Sequence, residues 1–334
     1  MKNSKYSVKD PRNLSILTDF YELTMANGFF ESGRKDDIGV FDLFFRKVPD
    51  NGGFAITAGL EQAMDYLENL KFDDNDIEYL RSKNIFSEGF LEYMRNFKFE
   101  CDVWAIPEGT PVFPKEPMVV VEGPMIQAQL VETTLLILIN HQTLIATKAN
   151  RIVRSAMGRG VMEFGARRAQ GGDAAYYGAR AAIIGGCTGT SDVKTAMDFG
   201  VKASGTMAHS FVTAFGSSVS GEYKAFDTYI KTHGNEPLIL LIDTYDTLRC
   251  GILNAMKAFR ENGIDDSYEA GYGVRLDSGD LAYLSAECRQ ILDKNGFTKC
   301  KIFATNSLDE YLITDLERQG ACIDCYGVGD AIAT

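Results

Sequence analysis

The first residue that could do chemistry is a histidine in the run Gly205-Thr206-Met207-Ala208-His209-Ser210, which follows the short stretch Val201–Ser204 and precedes the apolar, helix-compatible Phe211–Phe215. This pattern predicts a strand-to-helix turn at the carboxyl edge of a sheet, where α/β folds carry their reactive groups. The positive end of a helix disfavours imidazolium, so a neutral ring nitrogen of His209 is left to attack phosphorus. A hydrogen-bonded structural histidine is the competing reading, and the other loops decide between them. Asp243, Asp246, Asp277 and Asp280 are carboxylates able to hold Mg²⁺ through water or to bind ribose hydroxyls, and Asp280 is also suited to cap the helix after it. Arg167, Arg168 and Arg275 can grip a carboxylate or phosphate through paired N–H groups; solvated surface arginines are the alternative. Phe164 offers a flat face to an aromatic ring, with Arg275 as a second face, or else packs in the core. Gly189-Thr190-Ser191 and Gly327-Val328-Gly329 are turns in which backbone N–H groups can converge on an oxyanion, although G-x-G also marks ordinary turns. His141, inside a helical stretch, and His233, at a helix end, are expected to be structural.

The elements that must position these groups follow from periodicity. An amphipathic helix is predicted over Asn13–Phe30, strands over Gly39–Phe45 and Phe54–Thr57, and helices over Gly59–Leu70, Asp76–Arg81 and Glu88–Phe97. Asp74 or Asn75 and Ser87 are the expected caps of the last two helices. Phe99–Gly123, punctuated by proline and glycine, predicts small antiparallel strands, and Gln127–Met157 a long helix bridging two domains. Beyond Gly158, strand-then-helix units recur. The strands are Val161–Phe164, Val201–Ser204, Leu238–Ile242, Gly273–Leu276, Lys301–Ala304 and Ile323–Tyr326, with a weaker unit from Gly186 to Phe199. Such spacing predicts a parallel sheet closed as an α/β barrel, so the expected domains are 1–157 and 158–334. The chemical residues fall at the carboxyl ends of those strands.

Composition sets bounds. With 334 residues and 45% hydrophobic content the chain is long enough for one large or two ordinary domains. Lys and Arg total 34 against 46 Asp and Glu, a net charge of −12, which argues against nucleic acid or an anionic membrane as partner. Met1–Asp10 carries charges and no apolar core, unlike a secretory signal, and no apolar run approaches the ~20 residues of a membrane span. The seven scattered cysteines fit free thiols in a reducing cytoplasm. Cys322-Ile323-Asp324-Cys325 has C-x-x-C spacing but no second pair, and is expected to be plain strand.

Taken together, Leu17–Met25, Glu163–Arg168, Gly189–Ser191, Gly205–Ser210, Asp243–Thr247, Val274–Asp280 and Tyr326–Thr334 resemble the nicotinate phosphoribosyltransferase family, in order along the chain. The resemblance implies an irregular type II phosphoribosyltransferase barrel with an α/β sandwich domain. It implies a homodimer with shared active sites, located in the cytoplasm, that makes nicotinate mononucleotide and pyrophosphate from nicotinate and phosphoribosyl pyrophosphate for NAD biosynthesis. ATP is the implied co-substrate, consumed through a phosphohistidine at His209, with Mg²⁺ as cofactor and Asp277 as a second catalytic group. Nicotinate contacts are implied for Tyr21 (from the partner subunit), Phe164, Thr206 and Arg275, and phosphoribosyl contacts for Arg167, Gly327, Gly329 and Thr334. Nicotinamide-using relatives carry aspartate where Ser191 falls, so Ser191 favours the acid, while Asp192 stands where the family commonly has asparagine. Family members usually continue well past the position of Thr334, so a truncated chain is expected. The competing functions are a nicotinamide or quinolinate transferase, or a non-catalytic ligand-sensing relative.

Overall fold

The computed structural model describes residues 12–216, 218–234 and 236–334; the charged stretch Met1–Asp10 lies outside them. The chain divides into two compact units, one of residues up to 147 with 198–200, the other of 148–197 and 201–334.

The first unit carries helices α1 (Phe20–Glu31), α2 (Leu60–Asn69), α3 (Asp74–Arg81), α4 (Glu88–Arg95), α5 (Met125–Leu130) and the start of α6 (Glu132–Ser155). Its strands are β1 (Ile38–Leu43), β2 (Ala55–Ile56), β3 (Asp102–Ala105), β4 (Pro111–Val112) and β5 (Val119–Pro124). They form an antiparallel sheet in the order β1-β5-β3 and a β2-β4 pair. The helix predicted from Asn13 begins only at Phe20, because polar bonds hold the preceding residues out of helical register. Thr134 Oγ1 donates to the Leu17 carbonyl at 2.6 Å, and Lys71 N to Ser15 Oγ at 2.9 Å. The α3 cap is Asp73 rather than Asp74 or Asn75. Its carboxylate accepts from the Asn75 and Asp76 amides, and Asp76 returns the bond to Asp73 N, a reciprocal box worth about 1 kcal/mol. Ser87 caps α4 as expected. The long helix predicted over Gln127–Met157 is two, α5 and α6, broken at Val131. Together they are apolar and long enough to cross a membrane by length and composition alone. Yet Thr143 and Thr147 accept the Ala58 and Ile56 amides and Gln142 donates to Gln62, the contacts of a core helix.

The second unit contains β6 (Gly160–Glu163), β7 (Gly189–Thr190), β8 (Leu238–Leu241), β9 (Tyr272–Leu276), β10 (Lys301–Ala304) and β11 (Cys325–Val328). Every pairing is parallel, in the order β7-β6-β11-β10-β9-β8, a curled half-barrel. β8 and β11 are buried on both faces along their whole length, as parallel strands covered by helices must be, while β6 and β10 alternate buried with less buried residues. The helices are α7 (Gly172–Ile184), α8 (Val193–Phe199), α9 (His209–Ala214), α10 (Val219–Thr232), α11 (Ile252–Glu261), α12 (Leu281–Lys294), α13 (Glu310–Arg318) and α14 (Asp330–Ala333). Val201–Ser204, predicted as a strand, is reduced to a single bridge between Ala203 and Thr190, since β7 offers only two residues to pair with. Aspartates just beyond four of the strands cap the turns and helices after them. Asp192 accepts the Thr195 amide, Asp246 those of Leu248 and Arg249, Asp280 that of Tyr283, and Asp309 those of Tyr311 and Leu312. Cys325 lies buried in β11, where burial pushes its thiol up to about 11, and all seven cysteines are free.

Candidate functional site

Because all six strands run the same way, the loops after them gather at one edge of the sheet. There the segments after β6, β7, β9, β10 and β11, with the one leading into α9, line a cavity of about 380 Å³. Its walls hold Phe164, Arg167 and Arg168 from the loop after β6, Ser191 after β7, Gly205–His209 before and at the start of α9, Arg275 and Asp277 at the end of β9, Thr305–Ser307 after β10, Gly327 within β11, and Gly329 and Asp330 after it. The structure therefore brings together nine of the predicted site residues: His209, Asp277, Phe164, Arg167, Ser191, Thr206, Arg275, Gly327 and Gly329. Asp280 and Thr334 do not line it. Asp280 is committed to its helix cap, and the Thr334 hydroxyl returns to the Asp330 carbonyl at 2.7 Å. Tyr21 belongs to the first unit, where its hydroxyl donates to Glu132 Oε1 at 3.0 Å.

His209 opens a helix of only six residues, too short for much dipole, and a different device sets its ring. Nε2 stands 3.1 Å from Asp243 Oδ1; that carboxylate is 1% exposed, while the imidazole is 42% exposed. A carboxylate can only accept, so Nε2 carries the hydrogen and the Nδ1 lone pair remains available. Asp243 Oδ2 accepts the Asp277 N–H at 2.8 Å and the Ser278 hydroxyl at 2.5 Å. Asp243 is thus neither a free metal ligand nor a ribose contact, the two roles its residue type suggested, but the residue that orients His209. It stands at the end of β8 and Asp277 at the end of the adjacent β9, which is why residues 34 apart meet. Sequence spacing carries no signal of that adjacency.

Arg275 is half-buried, and burial pushes its guanidinium below its usual range. Nη1 donates to Thr206 Oγ1 and Nη2 to the Met207 carbonyl, both at 2.7 Å, while its buried Nε has no protein partner among the described residues. Arg275 and Thr206 therefore form one unit rather than two independent contacts. Arg168 pairs with Asp330 at 2.8 Å, whereas Arg167 is exposed and makes no ion pair among the described residues. Asp192 is turned into its helix cap and does not line the cavity, so Ser191 presents no carboxylate from its neighbour.

The Phe164 ring lies against the Gly327 backbone. A Cβ at Gly327 would come within 2.5 Å of Phe164 Cε2 and 2.7 Å of Thr305 Cγ2, so glycine is what lets the ring seat there. Asn306 and Ser307, which line the same cavity after β10, both hold positive φ, 81° and 48°, a strained pair of the kind found at ligand sites. They stand at a strand end of the kind expected to carry the chemistry, but their residue types alone do not betray that backbone.

Among the described residues no group of three or more His, Cys, Asp or Glu side chains is arranged to hold a metal ion. Asp277 accepts the Thr305 hydroxyl through Oδ1, and Oδ2 has no protein partner among the described residues. One carboxylate supplemented by water and phosphate oxygens is the donor set that suits Mg²⁺ rather than a dedicated protein cage. Of the remaining histidines, His233 stacks on Tyr229 at 4.1 Å and His141 lies in α6, where burial lowers its pKa. Both have structural surroundings.

Comparison with known proteins agrees along the chain. A family model described as the nicotinate phosphoribosyltransferase N-terminal domain matches residues 16–140, and one described as the nicotinate phosphoribosyltransferase family matches residues 160–319. The nicotinate phosphoribosyltransferase of Bacillus subtilis (strain 168) is 45% identical over 330 residues, covering 99% of this chain and 65% of that protein. The crystal structure of human nicotinic acid phosphoribosyltransferase matches with a TM-score of 0.83 and 30% identity, over 93% of this chain and 72% of the other. That of nicotinate-nucleotide pyrophosphorylase from Pyrococcus furiosus matches at 0.78 and 28%, over 100% and 75%. The chain thus spans just under two thirds of the length of the Bacillus relative.

Proposed function

Because the chain belongs to the nicotinate phosphoribosyltransferase family, and its second unit is a parallel α/β half-barrel, we propose that it joins nicotinate to phosphoribosyl pyrophosphate, forming nicotinate mononucleotide and pyrophosphate for NAD biosynthesis. ATP hydrolysis through a phosphohistidine at His209 is part of the proposal. The observation that carries it is a cavity lined by a half-buried, cationic Arg275, the Phe164 ring, Arg167 and an Asp243-oriented His209. Arg275, fixed by Thr206 and the Met207 carbonyl, meets the nicotinate carboxylate, and Phe164 covers the pyridine ring. Ser191 adds no negative charge there, which supports the acid over the amide as substrate. Arg167 and the amides around Gly327 and Gly329 take the phosphoribosyl phosphates.

Glycosyl transfer at the anomeric carbon has a loose, cationic transition state, so the protein's part is to align the ring nitrogen with that carbon and to stabilise departing pyrophosphate. Asp277 Oδ2 would hold Mg²⁺ through water, and the ion would neutralise pyrophosphate charge. In the ATP half-reaction the Nδ1 lone pair attacks the γ-phosphorus, the Nδ1–P bond forms as the bond to ADP breaks, and the ring's gain of positive charge is met by Asp243 at 3.1 Å. Water later cleaves the phosphohistidine to phosphate. While present, the phosphoryl group would order the loops around Asp277. The homodimer, with Tyr21 reaching into the partner's site, is proposed on the same family ground, as is a cytoplasmic location.

The deciding measurement is product formation by the 334-residue chain from nicotinate, phosphoribosyl pyrophosphate and Mg²⁺, with and without ATP. Product that rises with ATP, with both ATP hydrolysis and the stimulation abolished in His209→Ala, is the expected result. ATP stimulation surviving in His209→Ala would remove the phosphohistidine from the scheme, and nicotinamide turned over as fast as nicotinate would overturn the substrate assignment.

A further inference from the structure

The Glu163 carboxylate ends β6 inside the protein, 2% exposed, and does not line the cavity. Its two oxygens serve two different loops. Oε1 accepts the Gly165 N–H, in the loop that carries Phe164 and Arg167; Oε2 accepts the Thr190 hydroxyl, next to Ser191. The main chain reinforces both links. Ser191 N donates to the Glu163 carbonyl at 2.9 Å, and the Thr190 carbonyl accepts Ser204 N at 2.8 Å, just ahead of Gly205 and Thr206. The approach to Gly165 leaves no room for a side chain. A Cβ there would lie 2.9 Å from Glu163 Oε1, 2.9 Å from the Gly329 carbonyl and 2.6 Å from Ala333 Cβ, so the loop is wedged between this carboxylate and the turn that follows β11. An N–H and a hydroxyl can both be satisfied at this point only by a side chain with two acceptors, or by one that accepts from the first and donates to the second.

We infer that Glu163 is a positioning residue: its buried carboxylate clamps the Phe164–Arg168 loop to the Thr190–Ser191 loop, and so sets the spacing of the walls between which substrate is held. The clamp itself does not depend on the proposed reaction; only its kinetic consequence rests on that reading. Removing the carboxylate leaves two donors buried without acceptors and frees both loops.

The test uses the full chain and two readouts, amide hydrogen exchange and steady-state kinetics. In Glu163→Ala, peptides covering 164–168 and 190–192 should exchange roughly tenfold faster while β8 and β9 stay protected, as loss of a local bond without global opening demands. Loosened walls should lower kcat about tenfold or more and raise KM for nicotinate, since misplacements of about 1 Å can cost as much as 10²-fold. Glu163→Gln keeps an acceptor for Gly165 and can donate to Thr190, so it should restore protection at both loops and most of the activity. Thr190→Val should release 190–192 but leave Gly165 protected. Unchanged exchange at either loop in Glu163→Ala overturns the clamp, as do freely exchanging loops with unaltered kcat and KM. Because the Thr190 hydroxyl also accepts the Asp192 N–H at 3.0 Å, Thr190→Val alone does not decide; should Glu163→Ala fail to fold, Glu163→Leu, which fills the space without an acceptor, decides by whether 164–168 and 190–192 are released. A wild-type chain that makes no nicotinate mononucleotide would sink the proposed function alone, because the exchange result still decides the clamp.

Discussion

His209 Nε2 lies 3.1 Å from Asp243 Oδ1, and the other oxygen of that carboxylate accepts the Asp277 N–H at 2.8 Å, so one buried side chain joins the imidazole to the loop of the second expected catalytic group. Asn at 243 cannot serve both. With its oxygen toward His209 its amide faces the Asp277 N–H, donor against donor; reversed, it forces the hydrogen onto Nδ1. Asp243→Asn should therefore cut acid-labile phosphate incorporation from γ-labelled ATP by about 10²–10⁴-fold, the range set by a wrong histidine tautomer elsewhere. Incorporation within a few-fold of wild type would mean that Asp243 does not set the tautomer.

Arg275 is held by Thr206 Oγ1 and the Met207 carbonyl, both at 2.7 Å. Lysine has no planar fork to keep those bonds while meeting a carboxylate. Arg275→Lys should lower kcat/KM for nicotinate about 10²-fold, or roughly 2–3 kcal/mol of charge-assisted hydrogen bonding. An unchanged ratio in initial-rate assays would place the substrate carboxylate elsewhere.

Gly327→Ala drives a methyl to 2.5 Å from Phe164 Cε2. Either the ring moves or the strand does, at about 1–3 kcal/mol. Thermal unfolding should show that loss, and KM for nicotinate should rise with it; a variant as stable as wild type, with the same KM, would show that the ring is not seated on Gly327.

Glu22 is fully buried, bonded to Thr18 and to Thr133, and burial raises its carboxyl above the usual range despite those bonds. A carboxyl raised in the folded state contributes stability that is complete below the unfolded value near 4.5 and is lost as pH rises through the folded one. Glu22→Gln removes that loss while keeping an acceptor for Thr133 and a donor for Thr18. Urea unfolding between about pH 5 and pH 8 should show the variant gaining on wild type as pH rises. Wild type gaining on the variant as pH rises would mean that hydrogen bonding, not burial, governs the carboxyl.

Much of the second unit was legible because its signals are local. All-apolar strands such as Leu238–Leu241 and caps such as Asp280 declare themselves within a few residues, and the arginines and glycines at strand ends marked the site. The features that could not be read depend on neighbours far away in the chain. The late start of α1 is imposed by Ser15 bonding Lys71 and by Thr134 bonding Leu17; the loss of the Val201–Ser204 strand comes from a two-residue β7; and the duty of Asp243 comes from the pairing of β8 with β9. The left-handed backbone of Asn306 and Ser307 is likewise a product of packing, in residue types that do not demand it.

The four aspartates that cap the segments after β7 to β10 alter the electric field an incoming anion would meet. Asp192, Asp246, Asp280 and Asp309 each aim a carboxylate at main-chain N–H groups beside the cavity edge, so their charge is answered by amide dipoles rather than projected outward. A formal charge of −12 therefore overstates the repulsion at this rim, where the cavity walls set Arg167, Arg168 and Arg275 against Asp277 and Asp330. An acidic chain can in this way keep much of its own charge from facing an anion at the edge of its cavity.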